Sequence, residues 1–213
     1  MREFDEKLLK AKSVEEVCSL LHQGADEYIN FKYQYGCTLL HLVRDAEIAK
    51  VLIEVGADVN VRNVYGGTPL HVVRNAEIAK ILIENGADIN AKGISMFCGT
   101  PLHYAKNADI AKVLIDAGSN VNEQDVDGKT PLHCVKNEEV AKELIKAGGR
   151  VNVCDNFGAM PLHYAKDAEI AKVLIENGAD AVCKDIDGET ALDYAINSGR
   201  DDVADFLKNI SKK

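Results

Sequence analysis

The stretch Thr68-Pro-Leu-His-Val-Val-Arg-Asn-Ala-Glu-Ile-Ala-Lys-Ile-Leu-Ile-Glu-Asn-Gly-Ala-Asp-Ile-Asn90 decides how the chain folds. Thr68 is an N-cap residue by type, and Pro69 suits the first helical position, where no N–H is needed. Leu70 opens an apolar face. Asn75 is expected to end this short helix and to cap a second one over 76–85. In that second helix Ile78, Ile81 and Leu82 share one stripe, while Glu77, Lys80 and Glu84 share the other. Gly86 supplies a left-handed stop, after which Ala-Asp-Ile-Asn turns the chain back toward the next Thr.

The same pattern recurs along the chain. Thr38-Leu-Leu-His41, Thr68-Pro-Leu-His71, Thr100-Pro-Leu-His103, Thr130-Pro-Leu-His133, Met160-Pro-Leu-His163 and Thr190-Ala-Leu-Asp193 begin at intervals of 30, 32, 30, 30 and 30 residues. A second series keeps phase with them: Gly24-Ala-Asp26, Gly56-Ala-Asp58, Gly86-Ala-Asp88, Gly118-Ser-Asn120, Gly148-Gly-Arg150 and Gly178-Ala-Asp180. A unit this small cannot bury its apolar face alone, so the chain is expected to stack its units into one array.

Composition excludes several classes. With 46% apolar and 28% charged residues the 213-residue chain resembles an ordinary globular protein, not a disordered one. The 25 basic and 34 acidic side chains give a net charge of −9, which argues against a general grip on nucleic acid or anionic membrane. No apolar run is long enough to span a bilayer, and the charged opening does not read as a secretory signal. The expected location is therefore cytoplasmic, or the interior of a host cell if the protein is a delivered effector. The six cysteines show no Cys-x-x-Cys spacing and are expected to be reduced structural or surface thiols.

The Thr-Pro-Leu-His turns at 68–71, 100–103 and 130–133, the Gly-Ala-Asp-x-Asn segments 56–60 and 86–90, and the Asp-x-Asp-Gly tips at 125–128 and 185–188 resemble the ankyrin repeat. The resemblance covers about residues 13–210. It implies an all-α repeat solenoid: a stack of about seven helix-turn-helix units with hairpin fingers, whose short inner helices and fingers line a concave face. Residues 1–213 are read as one domain. A degenerate N-terminal capping unit spans 1–37, five internal repeats span 38–189, and a C-terminal capping unit spans 190–213. Seven residues separate His163 from Ile170, whereas ten separate Asp193 from Val203, so the internal repeats are three residues short of the longer form. That predicts a very tight turn in which Asp45, Asn75, Asn107, Asn137 or Asp167 both ends the inner helix and caps the outer one. Two fingers carry two extra residues each, around Glu27-Tyr28 and Gly93-Ile94.

Candidate chemistry has plain structural counterparts. His41, His71, His103, His133 and His163 occupy one repeat position, and a residue recurring in every unit is better explained by stacking than by catalysis. The resemblance implies that this His hydrogen-bonds within and between neighbouring turns. Cys37 with His41, and Cys134 with His133, could be drawn as nucleophile and base, but no third orienting residue is suggested. The two Asp-x-Asp-Gly tips lack the further ligands of a calcium loop. No cofactor or metal is called for.

Two ladders stand out. Aligning the fingers on an Asp-x-x-Gly-x-Thr frame places Tyr35, Tyr65, Phe97, Asp127, Phe157 and Asp187 at one position. Aromatic side chains on tips that the resemblance makes solvent-facing are natural partner anchors. Met96, Tyr104 and Tyr164 extend the patch, the alternative being that these rings pack on neighbouring hairpins. The second ladder, Arg44, Arg74, Lys106, Lys136 and Lys166, is expected at the end of each inner helix. It either complements the helix dipole or meets an acidic partner. Residues 1–107 hold 12 basic and 14 acidic side chains and 8 of the 12 aromatics, against 13 and 20 in 108–213, which favours the first half as the contact region. The expected function is non-enzymatic: a monomeric protein–protein interaction module acting as adaptor, inhibitor or effector, whose partner has an acidic or apolar docking surface. The alternatives are an anionic-ligand or nucleic-acid site along the basic ladder, and more remotely a Cys/His enzyme.

Overall fold

Nine-residue helices carry the apolar stripe of each repeat. The computed structural model describes residues 7, 10, 13–23, 28–94 and 98–210, in two compact units, Met1–Pro101 and Leu102–Lys213. The first unit contains α1 (Val14–His22), α2 (Leu39–Leu42), α3 (Ala46–Glu54), α4 (Pro69–Val72) and α5 (Ala76–Glu84). The second contains α6 (Ala108–Asp116), α7 (Glu138–Lys146), α8 (Ala168–Glu176), α9 (Ala191–Asn197) and α10 (Asp201–Ile210). Its short inner segments Pro131–Cys134 and Pro161–Tyr164 are 3-10 turns, and a further 3-10 turn, Pro101–Tyr104, falls where the first unit ends and the second begins. The architecture is an all-α repeat solenoid. No strand occurs among the described residues, only an isolated bridge between Lys184 and Thr190.

The outer helices stack on one another within each unit, α1 on α3 on α5, and α6 on α7 on α8 on α10. Ala49, Ala79, Ala111, Ala141 and Ala171 are fully buried at the same position, and a methyl side chain there lets successive helices approach closely. Leu40, Leu70, Leu102, Leu132 and Leu162 fill the core from the inner side. Each such leucine contributes roughly 1.5–3 kcal/mol of burial. Asp45, Asn75, Asn107, Asn137 and Asp167 each cap an outer helix with a side-chain oxygen, as expected. Each outer helix from α3 to α8 ends in a Schellman turn. In α5 the Gly86 N–H bonds the Ile83 carbonyl and the Ala87 N–H bonds the Leu82 carbonyl, with Gly86 at φ 87°.

The inner helices differ from expectation. Asn75 does not end α4, which stops at Val72; Val73 and Asn75 are extended, with ψ of 143° and 130°. The same four-residue inner segment, followed by a three-residue linker whose first and last residues are extended, appears at 39–45 and, as a 3-10 turn, at 131–137. In the longer C-terminal unit α9 runs for seven residues. The three residues missing from the internal repeats are thus the last turn of the inner helix, not part of a turn at the cap. Geometry explains the exchange. Packed helices lie about 8–10 Å apart, which three extended residues span at ~3.3 Å each and three helical residues at ~1.5 Å each do not.

Candidate functional site

Four of the fingers close on one carboxylate or amide. Asn63 Oδ1 accepts the N–H groups of Tyr65 and Gly67, both at 3.0 Å. Asp125, Asp155 and Asp185 do the same in their own fingers at 2.8–3.0 Å. The Asp-x-Asp-Gly tips are therefore hairpin turns. In the first finger Tyr33 replaces this acceptor, and the turn adjusts: Tyr35 takes φ 59°, the one non-glycine positive φ among the described residues. Neighbouring tips are then joined backbone to backbone. The Val64 N–H bonds the Tyr35 carbonyl at 2.9 Å, Ile94 bonds Tyr65 at 3.3 Å, Asn156 bonds Asp127 at 2.9 Å and Ile186 bonds Phe157 at 3.0 Å. Since Ile94 holds the place that Val64 holds one finger earlier, Gly93 and Ile94 keep the ordinary register, and the two added residues fall after Ile94. Those residues, including Met96 and Phe97, lie outside the described residues, as does Glu27.

Within each unit the tips expose side chains that the aromatic ladder only partly anticipates. Tyr35 and Phe157 are 56% and 49% exposed, but Tyr65 is half-buried, its ring 5.9 Å from that of Tyr35. More exposed are the aliphatic residues that donate across the fingers or sit beside them: Val64 at 58%, Ile94 and Val126 at 67%, and Ile186 at 69%. Sequence reasoning passed over them because Val and Ile read as core by type. The available signal was the place of Val64, Val126 and Ile186 one residue before the ladder position, in a turn with nothing to bury them.

Tyr164 faces inward. Its hydroxyl donates to Asp155 Oδ2 at 2.7 Å, its ring lies over Lys129 Nζ at 4.8 Å, and Tyr194 repeats the bond with Asp185 at 2.7 Å. Burial and the carboxylate partner raise both phenols, Tyr194 to about 12. Asp185 is held below the usual carboxylate range by the Tyr194 hydroxyl and backbone N–H groups. Tyr104 is half-buried at the same repeat position.

The repeat histidines bridge units. His41 Nδ1 accepts the Thr38 N–H at 3.1 Å, so the ring proton is on Nε2, which donates to the Gly67 carbonyl at 3.0 Å. His71 repeats this with Thr68 and Gly99, and His133 with Thr130 and Ala159. His103 Nε2 donates to Lys129. His163 accepts from Met160, and its buried Nε2 faces no acceptor, with the Tyr194 ring edge-on at 5.1 Å. Both nitrogens of His41 and of His133 are occupied, so neither can act as base to Cys37 or Cys134 without breaking its own bonds. A second set of bridges, which sequence reasoning did not assign, uses the Asn of the Gly-Ala-Asp-x-Asn segments. Asn30, Asn60, Asn122 and Asn152 each donate to the Schellman glycine carbonyl of the following outer helix and accept the N–H two residues beyond it, at 2.8–3.0 Å.

Burial holds the imidazoles of His41 and His133 below the ordinary value of 6.5, against the pull of their carbonyl acceptors. In the unfolded chain these rings titrate near 6.5, so as pH falls through that value the unfolded state binds more protons and folded stability is lost. The midpoint of thermal unfolding is expected to drop by several degrees from about pH 7.5 to about pH 5. A midpoint that rises over that window would contradict the assigned tautomers.

Arg44, Arg74, Lys106, Lys136 and Lys166 are all exposed, but they do not end the inner helices; they lie in the extended linkers two residues beyond them. The cations thus stand just past the helix ends and not in the last turn, where the dipole's pull is strongest. The carboxylates three residues on are engaged by their own helices in two cases, Glu47 with Lys50 and Glu169 with Lys172. Among the described residues Arg44, Arg74, Lys136 and Lys166 form no ion pair. Within each repeat the finger precedes the inner helix and the linker follows it, so the two ladders flank opposite ends of that helix and are not one patch. In the longer last unit Arg200, just before α10, donates to the Ala165 carbonyl and, at 3.1 Å, to the His163 carbonyl.

Comparison with known families returns the model described as ankyrin repeats in three copies over residues 8–93 and 134–213, and the single ankyrin repeat over 99–126. No curated protein matches the chain. The paired Thr and His caps, the Schellman turns and the laterally bonded fingers recur through the segments those models match, and the chain belongs to the ankyrin-repeat family.

Proposed function

We propose that the exposed fingertips of each unit receive apolar segments of a partner protein, so that the chain acts as an adaptor, inhibitor or effector without chemistry of its own. Ankyrin repeats are generally protein–protein interaction modules and typically non-enzymatic. One observation carries the finer reading: Val64, Ile94, Val126 and Ile186 stand exposed on tips fixed by backbone hydrogen bonds. Apolar groups held rigid in water lose little entropy when covered, which is what an interface anchor requires. Tyr35 and Phe157 add aromatic area. The proposal takes the array as one domain acting as an intracellular monomer. No helix among the described residues is long and apolar enough to cross a membrane.

A photo-crosslinking amino acid placed at Val64 or at Val126 should capture the partner, whereas one at Lys80 on the outer face should not. Val64→Asp should weaken that partner's binding at least tenfold, about 1.4 kcal/mol. Capture from Lys80 with none from the tips would reject the finger site. The linker cations support a second reading, an anionic ligand held at the other end of the inner helices. Retention on heparin that is salt-sensitive and lost in Arg74→Glu would favour it, and indifference to that change would exclude it.

A further inference from the structure

Two of the Schellman turns contain an asparagine before their glycine. Asn85-Gly86 closes α5 and Asn177-Gly178 closes α8, one in each compact unit, whereas Val55, Ala117 and Ala147 hold that place after α3, α6 and α7. The turn itself therefore does not require asparagine. The dipeptide matters chemically. Asparagine is thermolabile, and a following glycine has no side chain to keep its main-chain nitrogen away from the asparagine Cγ. Asn85, Gly86, Asn177 and Gly178 are all exposed, so burial does not shield them from water.

Hydrogen bonds shield them instead. Asn85 Nδ2 donates to the Ile81 carbonyl at 2.8 Å, and the Gly86 N–H donates to the Ile83 carbonyl at 3.0 Å. Asn177 Nδ2 donates to the Val173 carbonyl at 2.8 Å, and the Gly178 N–H to the Ile175 carbonyl at 3.0 Å. In each turn the side-chain nitrogen that would leave and the main-chain nitrogen that would attack are both tied to the helix before them. Opening that last turn frees both at once. The same glycines carry the bridge to the preceding finger. Asn60 binds the Gly86 carbonyl and the Asp88 N–H, and Asn152 binds the Gly178 carbonyl and the Asp180 N–H, all at 2.8–2.9 Å.

We propose that Asn85 and Asn177 are deamidation sites gated by the last turn of their helices, and that the reaction permanently uncouples each helix from the neighbouring finger. When the turn opens, the glycine nitrogen gives its proton to hydroxide and attacks the asparagine Cγ. The bond to Nδ2 breaks, and that nitrogen takes a proton from water and leaves as ammonia, closing a succinimide. Water then opens the ring at either carbonyl, to aspartate or isoaspartate. One amide and one water give one acid and one ammonia. Aspartate lacks the donor to the helix carbonyl and sets a negative charge at a helix C-terminus, beside Glu84 or Glu176, where the dipole opposes it. Isoaspartate carries the main chain through its side-chain carbon, and the added backbone atom displaces the glycine carbonyl from Asn60 or Asn152.

Full-length protein aged in mildly alkaline buffer should deamidate at Asn85 and Asn177, read in digests by the mass gained when an amide becomes an acid. The reaction should run at least about tenfold more slowly than in the same buffer with denaturing guanidinium chloride, because two hydrogen bonds hold each site shut. Guanidinium below the unfolding transition should speed both sites in step with hydrogen exchange at the Gly86 and Gly178 N–H groups. Aged protein should unfold at a lower temperature than fresh protein. That loss should be absent when Asn85→Ala and Asn177→Ala are combined, since alanine holds the same place after α6 and α7. Equal rates in folded and denatured chains would overturn the gate, and aged, deamidated protein that unfolds like fresh protein would overturn the uncoupling. Circular dichroism confirms that the alanine variant is folded.

Discussion

Alanine in place of Gly66 is expected to destabilise the protein by about 2–4 kcal/mol, and alanine in place of Gly188 by about 1 kcal/mol. The two glycines share one turn position and one backbone conformation, φ 78° and 81°. They differ in what lies beside them. A β-carbon on Gly66 would sit 2.4 Å from the backbone nitrogen of Ile94 and 2.9 Å from the Gly93 Cα, whereas one on Gly188 meets nothing within 4 Å. Gly188→Ala thus reports only the cost of a left-handed alanine. Gly66→Ala adds a collision with main chain that cannot swing away, and it breaks the bond from the Ile94 N–H to the Tyr65 carbonyl. Urea unfolding of both variants measures the difference. Equal costs would mean that the tips are not held together as described.

The second large effect is expected at a repeat histidine. His133→Ala should cost about 3–5 kcal/mol, since it opens a cavity, leaves a buried N–H without its acceptor and removes one of two donors from a carbonyl of the next unit. The Thr130 N–H loses its acceptor at 3.0 Å and the Ala159 carbonyl loses a donor at 3.2 Å. His163→Ala should cost less, because its Nε2 has no acceptor to strand. Acid sensitivity should also weaken in His133→Ala, with one neutral buried imidazole removed. If the two substitutions cost the same, burial alone accounts for the position and the bridge adds nothing.

Much of the fold was legible because its signals are local. Thr or Asn caps, Pro69 at the first helical position and Gly86 at the stop act on their own neighbours, and the interval of 30 residues shows that they act repeatedly. The inner helix was misjudged for the opposite reason. Nothing in Val72-Val73-Arg74 states how far away the outer helix lies, and that distance, not propensity, decides that the segment must extend. The site was legible in part. Tyr35 and Phe157 are exposed as expected, yet Tyr164 points at Asp155 because a carboxylate waits nine residues earlier, a fact visible only once the finger folds back. Val64 and Ile186 were hidden by their chemistry, since a branched aliphatic chain looks alike in a core and on a tip.

The lateral bonds also give the chain a reading frame. Partners sit 26, 28, 29 or 30 residues apart, and the first two fingers show all four intervals at once. Gaining or losing one residue inside a unit would misalign every bond to its neighbour, whereas gaining or losing a whole unit would leave the grammar intact. The one lengthened interval between described turns, 32 residues from Thr68 to Thr100, honours that rule. Its additions come after Ile94 has made its bond, and His71 still reaches its carbonyl, now 28 residues on at Gly99. Such an array can change length by duplication and excision while its surface residues diversify, because the frame is written in backbone, Asn and His and leaves the tips free to vary.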